Sequence, residues 1–261
     1  MTTTTIDQAA AQLAGHQGFS IISNETLRQL YISMVKSRLL EARLREVLLN
    51  GKLESSLGRE AAFVGALTGL LPEDEVAAAP ENLMVCFLRN ELQGKPLQEL
   101  LNRDAETDFA SQLTFALRTV QDNKREGKSA IAVVFSEGDS GFSEKLLKQA
   151  RAKRLPVLFV RPVGILSEAF GAQSCGVPVI PVDGADVVAV YRVATESITH
   201  ARKGNGPTLI ECFFDPAEAC DPVQKMAEYL TRKGDFRFLW TLEEADSFHR
   251  QLDAAIQAAK R

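Results

Sequence analysis

The chain has 261 residues, 45% hydrophobic and 25% charged, with a formal charge of −4. That is the composition of an ordinary soluble globular protein, long enough to bury a core without disulfides or metals. The mild acidity and the mixing of basic with acidic residues, as in Lys124-Arg125-Glu126, argue against nucleic-acid binding, which needs a dense basic surface.

Residues 1–23 read as a loose polar arm. Met1 to Thr5 lacks the positive charge and apolar run of a secretory signal, and no stretch is long and apolar enough to span a membrane, so a cytoplasmic location is expected. Asn24 is placed to cap a helix running to Asn50-Gly51, with Leu27, Leu30, Tyr31, Met34 and Val35 at helical spacing. Further helices are predicted over 59–70, 97–102 and 110–125, with Pro72-Glu73-Asp74 as a turn and Gly127 as a stop.

From residue 130 the pattern changes. Ala130 to Phe135 is a continuous apolar run, as in strands buried on both faces of a parallel sheet. A helix over 143–153 leads to a second apolar strand over 156–160. A third strand, over 179–182, contains Pro181 and so belongs at an edge or a strand end. Asp186 caps a helix reaching Lys203, and a fourth strand covers 208–214. Two helices follow from Pro222, with Trp240 between them. Alternating strands and helices give an α/β fold, a parallel sheet flanked by helices. The expected organisation is one α/β domain over 24–222 with C-terminal helices over 223–261 packed on it.

Cys86, Cys175, Cys212 and Cys220 form no Cys-x-x-Cys pair, which disfavours zinc; the first three sit among apolar or small residues as free thiols. His16, His200 and His249 share no ligand spacing, and neither a Gly-x-Ser-x-Gly elbow nor a Gly-x-Gly-x-x-Gly turn is present.

Several segments, in order, resemble the alpha subunits of thiamine-diphosphate-dependent 2-oxoacid dehydrogenases, the pyruvate, branched-chain and acetoin enzymes. The stretch from Cys175-Gly176-Val177-Pro178 through Asp183-Gly184-Ala185-Asp186 to Gly206-Pro207-Thr208-Leu209-Ile210-Glu211 is the most specific. Gly58-Arg59-Glu60-Ala61-Ala62, Gly94-Lys95-Pro96-Leu97, Ser111-Gln112-Leu113 and Leu155 to Val160 agree with it. The resemblance implies the thiamine-diphosphate-binding α/β fold, an oxidoreductase ancestry, a cofactor held through magnesium, and a homodimer or a beta-type subunit as partner.

It also shows what differs. The family's Gly-Asp-Gly and Asn-Asn motifs supply oxygen ligands to magnesium. Here the first strand runs into Ser136-Glu137-Gly138-Asp139, which puts Glu137 in the metal position, and Val160 is followed by Arg161-Pro162-Val163-Gly164. The Tyr-Arg pair that reaches the diphosphate is replaced by Met84-Val85. The Gly-rich segment with Ser-Met-His is deleted between Asp104 and Ser111, and the run from Asp215 to Pro222 lacks the family's His and Arg. No catalytic residue is assigned. The candidate cofactor contacts are Glu137, Gly138, Asp139, Arg161 and Gly164, with Glu137 the one candidate metal ligand. Two readings stay open: a homologue with a degraded site and a structural or regulatory role, and an active 2-oxo acid decarboxylating subunit with a reworked site and a beta partner. A third is another anion or nucleotide bound at the strand ends beside Arg161 and Gly164.

Overall fold

The structure is a computed structural model that describes residues 22–47, 56–101, 108–136, 141–164, 175–214, 221–235 and 238–259, the side chains of 238–240 excepted. In chain order the elements are α1 (Asn24–Val47), α2 (Glu60–Leu67), β1 (Glu75–Ala77), α3 (Leu83–Leu92), α4 (Leu97–Leu101), α5 (Phe109–Arg125), β2 (Ala132–Phe135), α6 (Glu144–Ala152), β3 (Val157–Gly164), β4 (Val179–Asp183), α7 (Val187–Arg202), β5 (Thr208–Phe214), α8 (Pro222–Arg232) and α9 (Phe238–Ala259). No described helix is long and apolar enough to cross a membrane.

The strands form one parallel sheet in the order β1-β2-β3-β5-β4. Alternation along each strand divides the core in two. Val133, Phe135, Leu158, Val160, Ile210 and Cys212 join the larger cluster with α1, α2, α3, α7, α8 and α9. Ala132, Val134, Val157, Phe159 and Leu209 join the smaller one with α5 and α6. Burial on both faces is why β2 reads as an unbroken apolar run.

Short polar side chains start several of the helices by taking up free N–H groups. Asp108 accepts from Ser111 N at 2.7 Å, Ser143 from Leu146 N at 3.3 Å, and Asp186 from Val188 N and Ala189 N at 3.0 Å. At α1 the cap is Ser23, accepting from Thr26 N at 3.0 Å, one residue before the expected Asn24. Asp74, fully buried, ties three segments together. It accepts from Leu71 N at 2.8 Å and Ile131 N at 3.0 Å, and it pairs with Arg202 at the end of α7, Nη1 to Oδ1 at 3.0 Å. Close packing joins α2 to α7, where a Cβ on Gly65 would lie 2.8 Å from Val190 Cβ.

Four elements differ from the sequence expectation. β1 and α3 were not anticipated. Trp240 lies within α9 rather than between the last two helices. β3 continues past Val160 to Gly164. Val160 O accepts from Ser136 N at 3.0 Å, so the backbone of even-numbered β3 residues faces β2. The donor that Pro162 lacks therefore falls beyond the last β2 pairing, Phe135 with Val160, and costs no ladder bond. Pro181 sits on β4, an edge strand, as its sequence implied. Cys86, Cys175 and Cys212 are buried free thiols.

Candidate functional site at the carboxyl ends of the strands

Ligands of open parallel sheets bind beyond the carboxyl ends of the strands. Here that region is bounded by Phe135, Gly164 and Phe214, the last residues of β2, β3 and β5. Glu137, Gly138 and Asp139, which follow β2, lie outside the described residues, as does the run 215–220.

Arg161 is on β3, on the face shared with Val157 and Phe159. It is directly paired in register with Glu211 of β5, and its Nη1 donates to Glu211 Oε1 at 3.1 Å. The two side chains are 6% and 4% exposed. A carboxylate and a guanidinium this deeply buried need one another, because either left alone carries a large desolvation cost. Phe142 packs against Phe159 on the same face of the sheet, ring centroids 4.8 Å apart and ring planes tilted by 57°. Gly164 ends β3 opposite Phe214, half-buried, and among the described residues no atom lies within 4 Å of where a Cβ would stand.

The described residues at the positions of the family's ligands offer a cation and apolar groups. Arg161 brings donors only, and Pro162 and Val163 bring no side-chain oxygen. Met84 and Val85 lie in the first turn of α3, 0% and 1% exposed and part of the main core. Among the described residues no group of three or more His, Cys, Asp or Glu side chains could hold a metal ion.

Glu60, in the Gly58-to-Ala62 segment, is fully buried and bound by Arg38 Nε at 2.8 Å; Arg38 Nη1 also reaches Asp221 Oδ2 at 2.6 Å. Asp221 in turn caps α8 through Val223 N at 2.8 Å. The Arg38 guanidinium holds the Asp221 carboxyl below the usual aspartate range. The clamp joins α1, α2 and the start of α8. Its sequence signal was a charge inside each of two apolar helix patterns, a position that needs a partner.

The profile of the dehydrogenase E1 component family matches residues 165–214, the segment from the end of β3 through β5. Along the chain there is similarity to the pyruvate dehydrogenase E1 component subunit alpha of Staphylococcus aureus strain Mu50, 25% identical over 299 residues, covering 91% of this chain and 78% of that protein. The Staphylococcus epidermidis protein of the same name (strain ATCC 12228) is 24% identical over 298 residues with the same coverage, 91% and 78%. In sequence, and with its parallel sheet flanked by helices, the chain is distantly similar to these E1 alpha subunits.

Proposed function

We propose that this chain is a non-catalytic E1 alpha-like protein, a scaffold that has outlasted its cofactor site. It acts structurally or regulatorily by pairing with a second copy or with a beta-type subunit. The carrying observation is the course of β3. Where the resemblance implies an Asn-Asn turn holding magnesium, the strand runs on to Gly164 with Arg161 paired to Glu211. A guanidinium beside apolar side chains does not fit a hard cation that requires oxygen ligands. The burial of Met84 and Val85 supports the same reading, since an apolar pair inside the core cannot clamp a polyanion. The resulting protein keeps the sheet, the α2–α7 packing and the Arg38–Glu60–Asp221 clamp, all of which serve folding.

Calorimetric titration with thiamine diphosphate and magnesium tests the proposal, alongside the Glu137→Ala variant. No binding at millimolar ligand is the expected result. Micromolar binding that disappears in Glu137→Ala overturns it in favour of an active subunit with a reworked site. Sedimentation tests the association: a monomer at micromolar concentration in the absence and presence of a beta-type subunit contradicts the proposed role.

A further inference from the structure

A cavity of about 200 Å³ lies among α1, α3, α4 and α9. It is smaller than the roughly 300–1,000 Å³ of sites for drug-sized ligands, and somewhat larger than the cavity of about 150 Å³ that holds a benzene-sized molecule. Its occupant is therefore a small molecule with one compact apolar group.

The lining divides by chemistry. Phe87 and Phe248, each 2% exposed, meet with ring centroids 5.4 Å apart and, with Leu97, form an apolar wall. Lys36, Lys95 and Glu91 supply charge. Lys36 Nζ is 3.9 Å from Glu91 Oε1 and 5.8 Å from the Phe248 ring centroid. At 3.9 Å the two charges attract without sharing a hydrogen bond, whose length for such a pair is about 2.7–2.9 Å. A ligand bearing both signs can bridge them. Lys95 is 4.0 Å from Glu99, a carboxylate outside the lining that offsets its charge, which leaves Lys36 and Glu91 as the opposed pair at the cavity wall. A simple acid or a simple amine would leave one charge uncompensated in a partly desolvated site, and a zwitterion would not.

We propose that this cavity binds a free α-amino acid with an apolar side chain. The carboxylate meets Lys36 and Lys95, the ammonium meets Glu91, and the side chain lies against Phe87, Leu97 and Phe248. The Glu91 side chain is still 38% exposed; its partial burial raises the carboxyl above the usual glutamate range, with Lys36 opposing, so an arriving ammonium favours its charged form. The site shares no residue with the strand ends and is independent of whether a cofactor binds there. Because α9 supplies one wall, occupancy would fasten the C-terminal helix to α1 and α4.

The test is calorimetry on the full chain with L-leucine and L-phenylalanine, beside 4-methylpentanoate, which lacks the ammonium, and 3-methylbutylamine, which lacks the carboxylate. Saturable binding of at least one amino acid is expected. Both analogues, and both Lys36→Met and Glu91→Gln, should bind at least about tenfold more weakly, the worth of one charge-assisted hydrogen bond. Leu97→Trp keeps every charge but fills the space, and should abolish binding while the protein melts cooperatively. No saturable binding at millimolar amino acid overturns the proposal. So does equal affinity for leucine and 4-methylpentanoate, or undiminished binding in Leu97→Trp.

Discussion

Arg161 and Glu211 occupy directly opposed positions on neighbouring parallel strands, and their side chains meet at 3.1 Å in the interior. Removing Arg161 leaves the buried Glu211 carboxylate without this counter-charge. Arg161→Met is expected to cost about 3–5 kcal/mol in urea denaturation. Adding Glu211→Met removes the orphaned carboxylate, so the double variant should be more stable than the single one. A double variant as unstable as the sum of the two singles would show that the pair is not an energetic unit.

The approach of α2 to α7 sets a second expectation. A methyl group on Gly65 would stand 2.8 Å from both Cβ and Cγ1 of Val190 and 3.0 Å from the backbone nitrogen of Tyr191. Backbone cannot rotate aside as a side-chain tip can. Gly65→Ala should therefore lower stability by about 1–3 kcal/mol despite its better helix propensity. A thermal melt unchanged from the parent protein would mean that the helices separate at little cost.

Cys212 yields a prediction about pH. Burial, with the nearby Asp183 charge adding to it, pushes this thiol up to about 12 from an ordinary 9.0. Below pH 9 folded and unfolded thiols are both protonated, and the residue adds no pH dependence. Above it the unfolded thiol ionises while the folded one keeps its proton, so stability falls as pH rises. The decline is about 1.4 kcal/mol per pH unit until the folded thiol also ionises. Comparison with Cys212→Ala isolates this contribution from the other groups titrating in the same range. Parallel stability curves for the two proteins between pH 9 and 11 would refute it.

The sheet was largely legible in the sequence because burial on both faces writes itself as continuous apolar runs, as in β2 and in Val157 to Val160 of β3, and because Asp186 and Gly206-Pro207 punctuate α7. Pro181 announced an edge. Other elements left no such mark. β1 has three residues, too few for any period. In α3 the residues from Leu83 to Phe87 are buried on successive positions, so the helix shows no polar stripe to reveal its repeat. The extension of β3 depends on Glu211, 50 residues away, and a charged residue followed by proline looks locally like a strand end. At the candidate site, sequence singled out Arg161 and Gly164 but could not pair Arg161 with Glu211, since that contact exists only once β5 lies beside β3. For the same reason the charges of Arg38 and Glu60 inside apolar helix patterns signalled a need for partners without showing that they, with Asp221, meet one another.

The strand order carries a consequence for how the chain is assembled. β4 is made before β5, yet β5 lies between it and β3. A growing chain that has not yet supplied Thr208 to Phe214 holds a slot bordered by two unpaired backbones, Leu158 to Gly164 on one side and Val179 to Asp183 on the other. Both are templates for the wrong strand, and from a neighbouring molecule as readily as from the same one. The last strand inserted thus pairs both of these backbones, and chains truncated before residue 208 are expected to aggregate where the full chain does not.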